Sequence, residues 1–405
     1  MITLKFAPKL QKPEKRVHLK FPNERPKRHG KCAGFPKTLI SACYHVNMKL
    51  KLFLIVFFGI LVVLGWRFWY QNLRGVKPAV GPVLQNSTGL PLTILEGYSI
   101  SVFAQNIPNA RVLTWDPTRR LLVSSPATGK VFRIADDGSS SVVIEGLNKP
   151  HGLAFKDGKL YIAETDAVAV YDYDGKASNR KKITDLPSGG NHFSRTIGFG
   201  PDGKLNISIG SSCNVCVEKD TRRASIMVYD GELKPFATGL RNSVFFTWRN
   251  GEMWATDMGR DLIGDNTPPE EVNIVKSGKN YGWPYCYGNR IADTTFGGTD
   301  DFCKTTEPPI IEYQAHSAPL GLAFDKDYLY VSYHGSWNRT EPTGYKIVRF
   351  DLNNNYKASD FITGWLQSPS ADGALGRPVD LLFDDKGNLF VSDDKAGVIY
   401  KVTRN

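Results

Sequence analysis

The chain has 405 residues, of which 41% are hydrophobic, 22% charged and 12% aromatic, a balance typical of a globular protein with one large domain or two ordinary ones. Its net charge of +11 lies entirely in residues 1–51, which hold 13 Lys and Arg against two Glu, whereas residues 52–405 hold 38 charges of each sign. A neutral main domain offers no basic surface to phosphates, which argues against nucleic-acid binding.

The N-terminal residues 1–48 are rich in Lys, Arg and Pro and show neither a helical nor a strand period, so we expect a basic disordered tail. An alternative stays open, in which translation starts at Met48. The sequence from Met48 onward has the form of a signal-anchor without any of the preceding residues.

An uncharged stretch of 15 residues, LFLIVFFGILVVLGW, follows Lys51. Its length lies between a secretory core of roughly 7 to 15 residues and a membrane span of roughly 20. Aromatic residues flank it and no small-residue cleavage site follows, which favours an uncleaved transmembrane anchor over 49–70 rather than a cleaved signal. The positive-inside rule then places the main domain outside the cytoplasm, in the periplasm or at the cell surface, or secreted if the segment is cleaved.

A linker over 71–90 leads into residues 91–405, in which one pattern recurs six times. Each unit has an apolar segment that ends in an aromatic residue, then a polar turn and a second β-rich segment. The aromatic residues stand 40 to 76 residues apart, which fits four-stranded blades with insertions after the fourth and fifth units. We therefore predict an all-β fold, a six-bladed β-propeller. The marker aromatics are Trp115, Phe155, Phe199, Trp248, Phe324 and Phe383.

Two of the six cysteines lie in the tail and four in the propeller, where export would let disulfides persist. The simplest of the three connectivities pairs Cys213 with Cys216 and Cys286 with Cys303. The C-N-V-C spacing also fits half a zinc site or a redox pair, although no second C-x-x-C or paired His completes four ligands.

Four histidines lie in loops of the propeller, and His192 stands just before an inner strand, so we expect it near the mouth of the central channel. Arg195 follows it closely, and Arg241 and Asn242 occupy the equivalent place in the next blade. Such a cluster can bind a planar, carboxylated, quinone-like molecule and hold a general base beside it. The remaining loop candidates, whose basic members suggest an anionic ligand, are His151, His316, His334, Arg260, Arg339, Lys346 and Arg377.

Several motifs along residues 90–403 resemble, in the same order, the soluble quinoprotein glucose/sorbosone dehydrogenases. They are NHFSRTIGFGPDGKL, SSCNVC, GLRN, EEVNIVKSGKNYGWPYCYG, YHGSWNR, GRPVDLLF and VSDDKAGVIYKV. The resemblance implies a six-bladed propeller that uses pyrroloquinoline quinone (PQQ) and Ca²⁺ to oxidise a sugar.

The resemblance also implies a role for each candidate. His192 matches the catalytic base, which takes the hydroxyl proton of the substrate while hydride passes to the quinone. The implied cofactor-binding residues are Arg195, Arg241, Asn242 and Arg377, with Arg339 and Lys346 competing for one further position. The implied calcium site combines the loop of Gly259 and Arg260 with Glu270 or Glu271, and oxygen ligands of this kind suit calcium.

The chain also departs from the glucose-oxidising members of that family. Asn191 stands where they carry an Asp before the catalytic His, and their substrate-contacting Gln has no clear counterpart. We therefore expect an aldose or a sorbosone-like sugar as substrate, with a quinone or a cytochrome as the later electron acceptor. Two other functions stay open, a non-catalytic propeller that binds a partner and a calcium-dependent lactonase with its metal on the propeller axis.

Overall fold

The computed structural model describes residues 54–67 and 86–405 of a chain that divides into two compact units, Met1–Ala79 and Val80–Asn405. In the first unit, residues 54–67 form a helix whose apolar side chains are exposed. Within the described parts of the chain, no helix has both the length and the hydrophobicity that a bilayer crossing requires.

Part of the predicted N-terminal organisation lies outside the described residues. This applies to the tail over 1–48, to both ends of the anchor over 49–70 and to most of the linker over 71–90. These assignments therefore stay predictions.

Six antiparallel sheets of four or five strands form the blades of the second unit and confirm the predicted six-bladed, all-β propeller, and a seventh sheet of two strands lies in an insertion. Two strands precede the first blade, namely β1 (Thr93–Ile94) and β2 (Tyr98–Ala104). Blade 1 contains β3 (Leu113–Trp115), β4 (Leu121–Ser125), β5 (Lys130–Ile134) and β6 (Ser140–Ile144). Blade 2 contains β7 (Leu153–Lys156), β8 (Lys159–Ala163), β9 (Ala167–Tyr173) and β10 (Ala177–Asp185). Blade 3 contains β11 (Ile197–Phe199), β12 (Leu205–Ile209), β13 (Ser225–Tyr229) and β14 (Leu233–Thr238).

Blade 4 carries the long insertion that the spacing of the marker aromatics predicts. Its strands are β15 (Phe246–Arg249), β16 (Glu252–Asp257), β17 (Glu270–Val275) and β20 (Ile311–Tyr313). The insertion between β17 and β20 contains β18 (Cys286–Tyr287), β19 (Ile291–Ala292), a 3₁₀ turn at Thr294–Phe296 and a short α-helix at Asp300–Cys303.

The last two blades use strands from both ends of the described chain. Blade 5 contains β21 (Pro319–Phe324), β22 (Tyr328–Tyr333), β23 (Lys346–Asp351) and β24 (Lys357–Thr363), and β1 pairs with β24 as a fifth strand. After a 3₁₀ turn at Ala371–Gly373, blade 6 contains β25 (Pro378–Phe383), β26 (Leu389–Asp393) and β27 (Val398–Arg404), and β2 pairs with β27 as its outer strand. The propeller is therefore closed by a strand from before blade 1.

The marker aromatics fill the wedges between neighbouring blades. Each of four pairs joins a marker to an aromatic ring of the preceding blade in an edge-to-face arrangement, which is the favoured geometry for such rings. This explains why one aromatic position recurs in the sequence, because every wedge needs a large apolar side chain at the same depth. The pairs are Trp115 with Phe390, Phe199 with Tyr161, Phe324 with Trp254 and Phe383 with Tyr330.

Buried hydroxyl groups join the blades on the side of the central channel. In four blades a Ser or Thr on the second strand donates to a backbone carbonyl of the next blade, at or just before its inner strand. An inner strand has a sheet partner on one side only, so these bonds satisfy carbonyl groups that burial would otherwise leave unpaired. The donors are Ser208, Thr256, Ser332 and Ser392, and the acceptors are the carbonyls of Val244, Leu320, Val379 and Arg111.

Candidate active site

A cavity of about 460 Å³ lies where loops of five blades converge. Its walls come from segments just before the inner strands and just after the second strands, which antiparallel pairing places at the same end of each blade. A cavity of about 450 Å³ between blades 1 and 6 contains none of the predicted site residues. The predicted residues that line the 460 Å³ cavity are His192, Arg241, Asn242, Gly259, Glu270, His316, His334 and Arg377.

His192 lies on the loop before β11 and is held through one ring nitrogen. Its Nδ1 lies 2.8 Å from the carbonyl oxygen of Ser211 and 2.9 Å from the Oγ of the same residue. A carbonyl oxygen can only accept, so Nδ1 carries the proton and Nε2 of the neutral ring carries the lone pair. Among the described residues, none forms a hydrogen bond to Nε2. The ring is therefore held in the tautomer that a general base requires.

The protonation state of His192 is set by burial and by nearby cations. Burial, and next the Arg241 guanidinium, lower the pKa of His192 to about 3, with smaller contributions from Arg195 and Arg223. The hydrogen bond to the Ser211 carbonyl opposes this shift of the pKa only in part. His192 is thus a neutral imidazole at every pH near neutrality.

Close backbone packing brings His192 and Asn242 together. A Cβ placed on Gly210 would lie 2.4 Å from the Oδ1 of Asn242 and 2.7 Å from the Cβ of His192. Gly190 has φ +80° and approaches Ser212 so closely that its own Cβ would lie 2.7 Å from that backbone. Glycine at these two positions is what lets the His192 loop approach the end of β12.

Arg195 does not reach the cavity and holds the His192 loop from behind. It is fully buried, and its guanidinium donates to the backbone carbonyls of Pro187, His192 and Ser194, each at 2.8 Å. Arg223 binds the same loop by donating to two carbonyls at positions 188 and 189. Arg195 therefore holds the backbone of His192 in place and does not line the cavity as predicted.

Arg241 and Asn242 lie on the loop between β14 and β15, and the buried Asp257 carboxylate accepts both of their backbone N–H groups. The Arg241 side chain is 4% exposed and uses all of its donors within the chain. Nε donates to the carbonyl of Asn214 at 2.9 Å, and Nη1 donates to the carbonyl of Gly259 at 2.8 Å. Arg241 therefore acts on the cavity mainly through its charge in this state.

Glu270, and not Glu271, reaches the cavity beside Gly259. One Glu270 oxygen accepts from the N–H of Gly259 at 2.8 Å, and the other accepts from the N–H of Ala318 at 3.2 Å. Glu271 turns to the other side of β17, where the N–H of Gly288 donates to it at 2.7 Å. The two candidates that the sequence leaves open are thus separated by the alternation of side chains along the strand.

Three other predicted residues have partners away from the cavity. Arg260 forms a buried ion pair with Asp293, and its Nη1 lies 2.6 Å from the Oδ2 of that residue. Arg339 donates to the carbonyl of Asp265, and Lys346 forms an ion pair with Asp360 at the outer part of blade 5. None of the three basic side chains lines the cavity. Arg260 turns into the blade 4 insertion and Arg339 binds the loop of Asp265. Lys346, which we predicted in a loop, is instead the first residue of β23, and its side chain pairs with β24.

Arg377 lines the cavity as predicted, and a network around Asp394 accompanies it. Arg377 donates to the carbonyl of His334 at 3.0 Å. The Asp394 carboxylate accepts from the Nε2 of His334 at 2.9 Å and from the Nη1 of Arg111 at 2.7 Å. These contacts, together with the charge of Arg111, hold the pKa of the Asp394 carboxyl far below its usual range, despite burial. Arg111 was not among the predicted site residues, although it precedes an inner strand as His192 and Arg241 do.

Asp261, on the loop after Gly259, was not predicted and is the centre of a second group. Its carboxylate accepts from the Nη2 of Arg241 at 3.1 Å and from the Nδ2 of Asn338 at 2.9 Å. The predicted His316 lies in the same wall, and its Nε2 donates to the carbonyl of Gly264 at 2.8 Å. Asn338 belongs to the YHGSWNR motif, but its contact with Asp261 could not be predicted, because the loops of blades 4 and 5 meet only in three dimensions.

Both predicted disulfides are present, Cys213 with Cys216 and Cys286 with Cys303. The first closes a loop directly beside the cavity, and the second lies within the blade 4 insertion. In the oxidised chain this leaves the C-N-V-C segment without a thiolate for zinc, since its two sulfur atoms are bonded to each other.

The cavity fits an anionic group and an oxygen-binding cation. Arg111, Arg241 and Arg377 supply three guanidinium groups to the wall, against two carboxylates, Asp261 and Glu270. A volume of this size suits a small planar ligand. The Gly259 carbonyl, which keeps a second lone pair beside its bond to Arg241, and the Glu270 carboxylate are oxygen donors of the kind that Ca²⁺ takes. The donor set is thus compatible with PQQ and with calcium.

Comparison with protein families gives a match over most of the propeller. A family model described as TrAA12-like matches residues 92–405. An uncharacterized protein of Borreliella burgdorferi is 31% identical over 349 residues, which cover 77% of this chain and 90% of that protein.

Two characterised proteins are also similar. A pyrroloquinoline quinone-dependent pyranose dehydrogenase of Coprinopsis cinerea is 25% identical over 77% of this chain. The match covers 54% of that protein, so this chain spans about half of its length. The calcium structure of Trichoderma reesei Carbohydrate-Active Enzymes Family AA12 superposes with a TM-score of 0.69 at 25% identity, over 80% of this chain and all of that chain.

Proposed function

Since the chain belongs to the TrAA12-like family, we propose that it is a quinoprotein dehydrogenase that oxidises an aldose or sorbosone-like sugar by hydride transfer to PQQ. His192 is the general base and Ca²⁺ is the metal in this proposal. The names of the similar proteins, a PQQ-dependent pyranose dehydrogenase and a calcium structure, support it. The lactonase and the non-catalytic propeller are the competing functions.

The observation that carries the proposal is the state of His192. Its Nδ1–H is donated to Ser211, its Nε2 keeps the lone pair, and the ring lines a cavity with three guanidinium groups. A scaffold protein has no need of a buried imidazole held in one tautomer beside a cavity. A base of this kind typically contributes about 10² to 10⁴ in rate.

The residues on the cavity wall match the two groups in charge and chemistry. When bound, PQQ supplies a quinone carbon that accepts hydride, and Ca²⁺ supplies a Lewis acid that makes this carbon more electrophilic. Arg111 and Arg377, together with the charge of Arg241, would hold the anionic cofactor, and the Gly259 carbonyl and the Glu270 carboxylate would hold the metal.

In the proposed reaction, the chain moves one proton and orients two molecules. The Nε2 of His192 takes the hydroxyl proton of the sugar as the C–H bond gives up its hydride, so the electron pair leaves with hydrogen and the proton stays on the imidazole. Arg241, whose charge is already neutralised in part by Asp261, makes the resulting imidazolium less favourable and so favours release of the proton to solvent.

The proposed substrate class is supported by the residue beside the base. Asn191, in place of a carboxylate, leaves the mouth of the cavity without a negative charge next to His192. We propose on this basis an aldose or sorbosone-like sugar and not glucose alone. A quinone or a cytochrome would then remove the electrons.

For location, we propose that the propeller functions outside the cytoplasm, held there by the apolar segment 49–70. The two disulfides of the propeller support an oxidising compartment, because such bonds rarely persist in a reducing cytoplasm. Cell fractionation of the full-length chain, with and without residues 49–70, tests the anchor.

The decisive experiment loads the purified full-length chain with PQQ and Ca²⁺ and follows dye reduction with aldoses, sorbosone and simple alcohols. We expect sugar-dependent reduction, and in His192→Ala a fall in kcat of at least about 100-fold with PQQ affinity within a few-fold of wild type. Wild-type turnover in this variant would refute the role of His192. A chain that binds no PQQ and reduces no dye would favour the scaffold, and calcium-dependent lactone hydrolysis would favour the lactonase.

A further inference from the structure

The small disulfide ring of residues 213–216 lies between the two groups that the proposed reaction depends on most. The catalytic base His192 is on one side of this ring and the Arg241 guanidinium is on the other. The following inference rests on the proposed function for its meaning, but its contacts belong to the chain alone.

The ring supports His192 through Ser211. The Oγ of Ser211 donates to the carbonyl of Cys213 at 2.7 Å. This bond uses the hydroxyl proton, so Oγ presents a lone pair to the Nδ1–H of His192. If the Cys213 carbonyl moved, the hydroxyl could turn its proton toward the imidazole, and the second acceptor for Nδ1–H would be lost.

The ring holds Arg241 through Asn214. The backbone carbonyl of Asn214 accepts from Nε of Arg241, and its Oδ1 accepts from Nη2, both at 2.9 Å. Asn214 also binds the backbone of Asp261 in both directions, through Oδ1 at 2.7 Å and Nδ2 at 3.0 Å. One side chain thus fixes the guanidinium and the loop that follows Gly259.

The geometry explains why a disulfide is present at this place. Cys213 and Cys216 are only three residues apart, and the segment between them belongs to no strand. A loop of this kind has many conformations, and closing it into a ring removes most of them. A short ring adds little to the stability of a whole domain, which suggests that its benefit is local order.

We propose that the Cys213–Cys216 ring is a positioning element of the active site, which fixes His192 through Ser211 and fixes Arg241 through Asn214. Neither cysteine touches the cavity, and Asn214 acts through Arg241 and not on the substrate. The second disulfide, Cys286–Cys303, lies in the blade 4 insertion and does not line the 460 Å³ cavity, which makes it the matched comparison.

The test compares the two disulfides in the full-length chain. In C213S/C216S we expect at least about a 10-fold loss of PQQ affinity in a fluorescence titration, with a small change in the thermal midpoint. In the cofactor-free chain the ¹⁵N signal of His192 Nδ1 should shift, because the Oγ acceptor is lost while the Ser211 carbonyl still keeps the proton on Nδ1. In the matched control C286S/C303S we expect the reverse, a midpoint lower by about 5 °C with PQQ affinity and the His192 signals unchanged.

A second pair of variants leaves both disulfides in place. Asn214→Ala removes the Oδ1 that accepts from Nη2 of Arg241 and from the backbone of Asp261, and should weaken PQQ binding by about 10-fold. Its ring neighbour Val215→Ala should bind PQQ as wild type does. These variants decide the inference if the double cysteine variant does not fold.

The inference is wrong if C213S/C216S and Asn214→Ala keep PQQ affinity within two-fold of wild type and leave the His192 signals unchanged. It is also wrong if C286S/C303S reproduces the loss of affinity, since the effect would then reflect general stability. If the wild-type chain binds no PQQ, the proposed function fails, and the His192 signals of the cofactor-free chain alone decide the role of the ring.

Discussion

The low pKa of His192 leads to a pH profile that differs from that of an ordinary histidine base. Burial and the Arg241 guanidinium lower this pKa to about 3 from its usual value of 6.5. A base with a pKa of 6.5 would be only about 3% unprotonated at pH 5, whereas one with a pKa of 3 is about 99% unprotonated. We therefore expect kcat/KM for the sugar to stay within about two-fold between pH 7.5 and pH 5.

Initial rates of dye reduction with the PQQ-loaded chain measure this profile. Arg223→Met provides the sharper comparison, because it removes one of the buried guanidiniums that lower the pKa of His192 without changing a residue of the cavity wall. Its inflection should lie at a higher pH than that of wild type. A fall of ten-fold or more in wild-type kcat/KM with an inflection near pH 6.5 would refute the assigned electrostatics.

The same shift can be measured without the cofactor through stability. The unfolded chain takes up a proton on this imidazole as pH falls through 6.5, while the native chain takes it up only near pH 3, so the contribution of His192 to stability falls with pH in this window. At pH 5 the loss relative to pH 8 amounts to about 2 kcal/mol. The difference in unfolding free energy between wild type and His192→Gln should therefore change by this amount between the two pH values in favour of the variant, and a constant difference would contradict the shift.

Two further predictions concern residues around the cavity. Gly210→Ala places a methyl group 2.4 Å from Asn242 and 2.7 Å from His192, so we expect at least about a 10-fold loss of kcat and a lower thermal midpoint, and normal turnover would contradict the close packing. Asp394→Asn removes a buried charge that pairs with Arg111 and accepts a hydrogen bond from the neutral His334, so we expect a loss of about 3 kcal/mol in urea unfolding, and a neutral effect would show that the pair contributes nothing.

Much of the fold could be predicted because its signals are local. Each blade repeats an aromatic residue such as Phe199 or Phe383 at the depth where a wedge must be filled, and turns such as Asn250-Gly251 take positive φ at both residues. The closure of the ring could not be predicted in the same way, because β2 and β27 are separated by nearly the whole domain and their register is set only when both strands meet.

Site residues could be predicted where their position just before an inner strand brings them to the cavity. His192, Arg241 and Arg377 all stand shortly before an inner strand and all line the cavity. Arg195 obeys the same rule of position but turns inward to bind its own loop, and a sequence carries no signal for which way such a side chain turns. Applied to every blade, the rule would have found Arg111 as well.

The pairing of β2 with β27 has a consequence for how the protein is made. The strand at Tyr98–Ala104 leaves the ribosome about 300 residues before its partner at Val398–Arg404 exists. Until synthesis ends, the first strand has no sheet to join and the toroid stays open, with an unpaired edge that invites association with other chains. Loss of β27 at the carboxyl end would leave β2 without its partner and the ring unsealed.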